Sequence, residues 1–171
     1  MFDQQRLVLA ALGTSCALAF AFYTLRRIRI AAAVKRCWPE LGVEVRTSTI
    51  PNSGDGLFAS IDFQAGATLG QYRGRVLSLL QAHQLEDRDY LMGGFGLNAH
   101  VDARFALNAP GRYVNDNNDE SQLNARFEKD RDLRVATLIA TRAIRRGEEI
   151  FASYGESYWR ARGHSSGKPP R

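Results

Sequence analysis

Gly147-Glu148-Glu149-Ile150-Phe151-Ala152-Ser153-Tyr154-Gly155 is the stretch from which the fold is read. A glycine turn is followed by a short apolar run suited to a buried strand, and a tyrosine precedes a second glycine. The same beat occurs once upstream, where Phe63-x-x-Gly66-x-x-Leu69 echoes Ile144-x-x-Gly147-x-x-Ile150. Two strand-turn-strand units predict a compact body of small curled sheets, although this spacing is also that of an ordinary turn. Between Val43 and the closing stretch, short β-type runs alternate with Gly, Asn and Asp, and strands are expected over 57–61, 67–72, 101–106 and 133–141. Ser78 with Gln81 three residues later predicts a capping box opening a helix over 79–88.

Four further polar signatures lie between these runs: Gly54-Asp55-Gly56, Tyr72-Arg73-Gly74, Arg112-Tyr113-Val114-Asn115-Asp116-Asn117 and Leu123-Asn124-Ala125-Arg126-Phe127. Glycines at 54 and 56 bracket Asp55 just before a strand, where the backbone can approach a small polar ligand without a Cβ in the way. The spacing is neither that of a dinucleotide fingerprint nor of a P-loop, and a plain turn has the same composition. The Asn-rich run offers side chains that donate and accept at once, but it also reads as a simple turn.

In this order the signatures resemble the SET domain, over roughly residues 43–159. Arg112-Tyr113-Val114-Asn115 is similar to the family's Arg-Phe-Ile-Asn, and Gly147 to Gly155 to its closing Gly-Glu-Glu-Leu-Thr-Phe-Asp-Tyr-Gly. The resemblance implies a mainly β (α+β) fold with a pseudoknot-like threaded C-terminal segment, and transfer of a methyl group from S-adenosylmethionine to a protein lysine. It carries over Tyr154 and Tyr90 as catalytic, and Gly54, Asp55, Gly56, Tyr72, Asn115, Asp116 and Tyr154 as cofactor-binding. The chain departs from the family at Asp116 and Asn117, which stand for His and Ser, and at Phe151, Ala152 and Ser153. The family's cysteine-rich segment after the fold is missing, and Tyr158 and Trp159 stand there instead, available as an aromatic wall or for packing.

Length and charge divide the chain into 1–39, 40–159 and 160–171. Leu7 to Leu25 is an uncharged, mostly apolar run. As a helix, its nineteen residues would rise about 28 Å, close to the ~30 Å hydrocarbon core of a bilayer. Arg26, Arg27, Arg29, Lys35 and Arg36 follow it. An N-terminal hydrophobic helix is therefore expected to span a lipid bilayer once, with the basic flank and the SET domain on the cytosolic side, an organelle membrane included. A helix lying on the domain, or a targeting presequence, would have the same composition.

The net charge of +5 hides a body, residues 40–159, with 13 basic and 17 acidic residues. Such a body is a poor nucleic-acid binder and suits a basic peptide substrate. Cys16 and Cys37 both precede it, so it holds no disulfide and no cysteine-based zinc site. His83, His100 and His164 lack ligand spacing, and no metal is expected. The mechanism implied is in-line transfer to a neutral lysine amine, with the protein positioning and desolvating the reactants. The alternative is a catalytically inactive SET-like module, tethered to the membrane as an interaction platform.

Overall fold

The structure is a computed structural model in which residues 36–163 are described. The apolar run at 7–25 lies outside the described residues, and among these no helix is long and apolar enough to cross a membrane. The body consists of three small antiparallel sheets. The first joins β1 (Cys37–Trp38), β2 (Val43–Thr47) and β3 (Asp55–Ala59); the second has β4 (Thr68–Tyr72), β9 (Val135–Ala140) and β8 (Ala125–Asp130) side by side. In the third, β7 (His100–Asp102) is flanked by β5 (Arg75–Leu77) and β6 (Leu91–Met92). Only two short α-helices occur among the described residues, Leu79–His83 and Glu156–Ala161.

The predicted strands are present, three of them shorter and the one over 57–61 shifted two residues upstream. The run expected to reach Ile61 ends at Ala59, and the one over 101–106 keeps only Val101 and Asp102, because Asp102 turns its carboxylate back onto the Arg104 N–H at 2.9 Å. The capping box at Ser78 and Gln81 is formed on both sides. Its helix stops at His83 rather than Arg88. Arg88 folds back onto the His83 carbonyl at 2.6 Å, and Asp87 accepts from the Asp89 N–H at 2.8 Å, a local bond that competes with helix. Strand β8 carries the Asn-Ala-Arg-Phe signature into the sheet.

The two echoed units are paired. Phe63 and Ile144 form an antiparallel bridge with mutual N–H···O bonds of 2.8 and 3.0 Å. The segment Glu149–Ala152 then joins distant parts of the chain. Ile150 donates to the Leu57 carbonyl of β3, Ala152 to the Asn115 carbonyl, and Asn124 and Ala125 both donate to the Phe151 carbonyl. Asn124 completes the joint with its side chain, giving Nδ2 to the Glu149 carbonyl and accepting from the Phe151 N–H, each at 2.8 Å.

The larger core, with Val43, Leu57, Leu69, Leu138, Ile144 and Ile150, lies beneath this joint, and a smaller one gathers Tyr72, Phe95, Val101 and Ala136. Burying each large aliphatic side chain favours the fold by about 1.5–3 kcal/mol, so the joint is held by burial as much as by hydrogen bonds.

Candidate functional site

The joint brings Tyr154 to a cavity of about 1400 Å³ whose wall also includes Gly54, Asp55, Tyr72, Tyr90, Asn115 and Asp116. Five stretches far apart in sequence therefore meet at one place. Gly56 is not part of this wall. It is buried in β3, where an added Cβ would come 2.2 Å from Glu149 Oε1, so its missing side chain makes room for a carboxylate rather than for a ligand. Gly54, by contrast, has φ +72° and open space where a Cβ would stand.

Three tyrosines, Tyr72, Tyr90 and Tyr154, line the cavity together. The Tyr154 hydroxyl donates to the Val114 carbonyl at 2.8 Å, and the Tyr72 hydroxyl donates to the Tyr90 carbonyl. With each hydroxyl hydrogen committed to a main-chain oxygen, the phenol oxygens keep lone pairs for a third group. Burial pushes both phenols far above their usual range; Tyr158 and Asp116 add to the effect at Tyr154, and Asp102 at Tyr72. They stay neutral at any physiological pH. The Tyr90 ring lies under the Arg112 guanidinium, 4.1 Å from the ring centroid, and Arg112 is itself fixed by Nε donation to the Ala103 carbonyl at 3.1 Å.

Asp116, which stands where the family has His, is 8% exposed and fully used. Its Oδ2 accepts from the Tyr154 N–H at 2.7 Å and from the Trp159 indole at 2.8 Å, and its Oδ1 from the Asn118 N–H at 2.8 Å. The departure therefore comes with its own donors, and it ties the last helix to Tyr154. That helix presents Tyr158 edge-on to Tyr154, with centroids 4.7 Å apart, and Arg162 covers the outer side of Tyr158 at 3.7 Å. Tyr158 and Trp159 both line the cavity, in the place of the cysteine-rich segment.

Asn115 is partly occupied. Its Nδ2 donates to the Asp55 carbonyl at 3.0 Å and to Glu149 Oε1 at 3.2 Å. Its Oδ1 has no partner among the described residues, and this is the acceptor it can offer to a ligand. Glu149 is a residue that the motif reading passed over. It is 5% exposed and also accepts from the Ser48 hydroxyl at 2.7 Å and from the Thr49 N–H and hydroxyl, both at 2.6 Å. Only the doubled carboxylate after Gly147 hints at it.

The wall also corrects the charge argument. Arg88, Arg112, Arg126, Lys129 and Arg162 line the cavity against Asp55, Asp89 and Asp116, so the acidic character of the body does not extend to its mouth. Among the described residues no three His, Cys, Asp or Glu side chains are gathered for a metal ion.

A family model of the SET domain matches residues 54–155, more than half of the chain, and the chain belongs to the SET domain family. Members of this family are in general S-adenosylmethionine-dependent methyltransferases acting on protein lysines. No curated protein matches the chain.

Proposed function

We propose that this protein transfers a methyl group from S-adenosylmethionine to the ε-amine of a lysine in another protein. The observation that carries the reading is the convergence of Tyr72, Tyr90 and Tyr154 on one cavity, with two of the three hydroxyls bonded to main-chain carbonyls. The crossing of 149–152 with Asn115 and Ala125 supports the threaded arrangement that such a site requires.

The residues present fit the cofactor. Trp159 and Tyr158 offer aromatic surface for a purine, the Asn115 Oδ1 an acceptor, and the open backbone at Gly54 close approach. The sulfonium, when bound, supplies an electrophilic methyl group. The Tyr154 oxygen and the Val114 carbonyl would hold the polarised methyl of that group through CH···O contacts. Tyr72 and Tyr90 wall the incoming side chain and exclude water. Desolvation there disfavours an ammonium, so the substrate amine loses its proton to water before it attacks. The neutral phenols cannot take that proton at physiological pH, and the enzyme works by position rather than as a base. Where the family has its multiplicity-setting aromatic this chain has Ala152, which is buried and prescribes no product. We place the domain on the cytosolic side of a membrane, tethered by residues 7–25.

Full-length protein titrated calorimetrically with S-adenosylmethionine, then incubated with labelled donor and cell lysate, tests the reading. Saturable binding and labelled lysine are expected. Binding with no transfer to any acceptor leaves the inactive module, and absence of binding ends the methyltransferase account.

A further inference from the structure

The chain is basic, yet nearly all of its cations are arginine: the sequence has twenty Arg and three Lys, at 35, 129 and 168. An arginine holds its proton throughout the accessible pH range and has no lone pair with which to attack a methyl group. Lys129 is thus the only side-chain amine among the described residues, and it lies in the wall of the cavity.

Its position follows from sheet register. Tyr72 on β4 pairs with Ala136 on β9, and Ala136 pairs with Lys129 on β8. The three side chains leave one face of the sheet in a single row, with only a methyl group between the phenol and the lysine. Phe127, two residues back on the same face, packs edge-on against Tyr72 with centroids 5.8 Å apart. Lys129 remains solvent-accessible. Its ammonium donates to the Gly93 carbonyl at 2.7 Å, and Gly94 approaches so closely that a Cβ there would lie 2.9 Å from Nζ. Gly93 is three residues beyond Tyr90, so the amine rests on the stretch that follows that tyrosine.

From this arrangement we propose that Lys129 is an acceptor of the protein's own methyl transfer, in cis, an inference that rests on the methyltransferase reading above. One hydrogen bond to Gly93 and a cation–π contact with the Phe95 ring, 5.7 Å to its centroid, hold the amine, and rotation about the terminal side-chain bonds frees it. The ammonium releases a proton to water, and desolvation, which lowers its pKa, favours that loss. The nitrogen lone pair then forms the N–C bond as the C–S bond of the sulfonium breaks. The sulfur keeps that electron pair and leaves as a neutral thioether. The methylated lysine regains a proton and its positive charge.

Full-length protein incubated alone with labelled S-adenosylmethionine, digested and mapped by mass spectrometry, tests this. The label is expected on Lys129, with a first-order rate unchanged when the protein is diluted tenfold. Lys129→Arg keeps a cation against Gly93 and is expected to lower incorporation by roughly tenfold or more while calorimetric donor affinity is retained. Label confined to Lys35 or Lys168, a rate that falls with dilution, or transfer to lysate proteins with Lys129 unmodified would each overturn the inference while sparing the methyltransferase reading. If the protein neither binds the donor nor labels any acceptor, that reading fails and the inference goes with it.

Discussion

Tyr154 and Glu149 lie five residues apart in one signature and carry different loads. Tyr154→Phe removes one hydroxyl and its bond to the Val114 carbonyl. A single hydrogen bond of this kind contributes about 1 kcal/mol to stability, so the variant is expected to fold. Its turnover should drop by roughly a hundredfold, the usual scale when a preorganised oxygen is lost from a transition state. Wild-type rates in a labelled-methyl assay would remove Tyr154 from the chemistry. Glu149→Ala should act in the opposite way, stranding donors from Ser48, Thr49 and Asn115. A loss of about 3 kcal/mol or more is expected in denaturant unfolding. An unchanged midpoint would show that water replaces the carboxylate.

The raised phenols set the alkaline limit. Their folded pKa values exceed the unfolded value of about 10. The unfolded chain therefore loses protons first as pH rises, and the native state's advantage, complete below pH ~10, is lost above it. Each of Tyr72 and Tyr154 steepens the fall by about 1.4 kcal/mol per pH unit. Tyr72→Phe should remove one such increment from the slope of unfolding free energy measured between pH ~10 and ~12.

At the scale of elements, the last helix is attached through Asp116. It is only six residues long, and no residue in it is fully buried. A helix of that length has little stability of its own. Asp116→Ala cuts the bonds to the Tyr154 N–H and the Trp159 indole together. The expected result is a red shift of Trp159 fluorescence and a rise of roughly tenfold in the S-adenosylmethionine Kd, equivalent to about 1.4 kcal/mol. An unaltered spectrum and Kd would mean that Tyr158 stacking alone holds the helix. This element was only partly legible in the sequence. Tyr158 and Trp159 are visible as aromatics after the fold, but the partner of Trp159 lies 43 residues upstream and replaces a family histidine.

At the scale of the whole molecule, the tail and the body raise separate questions. Residues 1–38 fused to a fluorescent protein are expected to carry it into the membrane pellet, as an uncharged, mostly apolar run of nineteen residues followed by a basic flank would. A fusion that stays in the supernatant would remove the anchor. In the body, the third sheet and the cavity's charge could not be read from the sequence. β6 has only two residues and is specified by its pairing with β7, not by any hydropathy pattern of its own. The helix after Ser78 ended five residues early for a similar reason, since Arg88 and Asp87 found local partners that helical spacing does not reveal.

By itself the sequence determined the family, the β-rich body and most of the cavity wall, because turns, caps and strand propensities act over a few residues and leave fixed signatures. Only the tertiary structure decided what each signature does. Gly56 makes way for Glu149, Asp116 collects three donors from two later segments, and Lys129 shares a sheet row with Tyr72. Apart from the local bond from Asn118, these are relations across 38 to 93 residues, set by which strands are neighbours and in what register, and no local pattern encodes them.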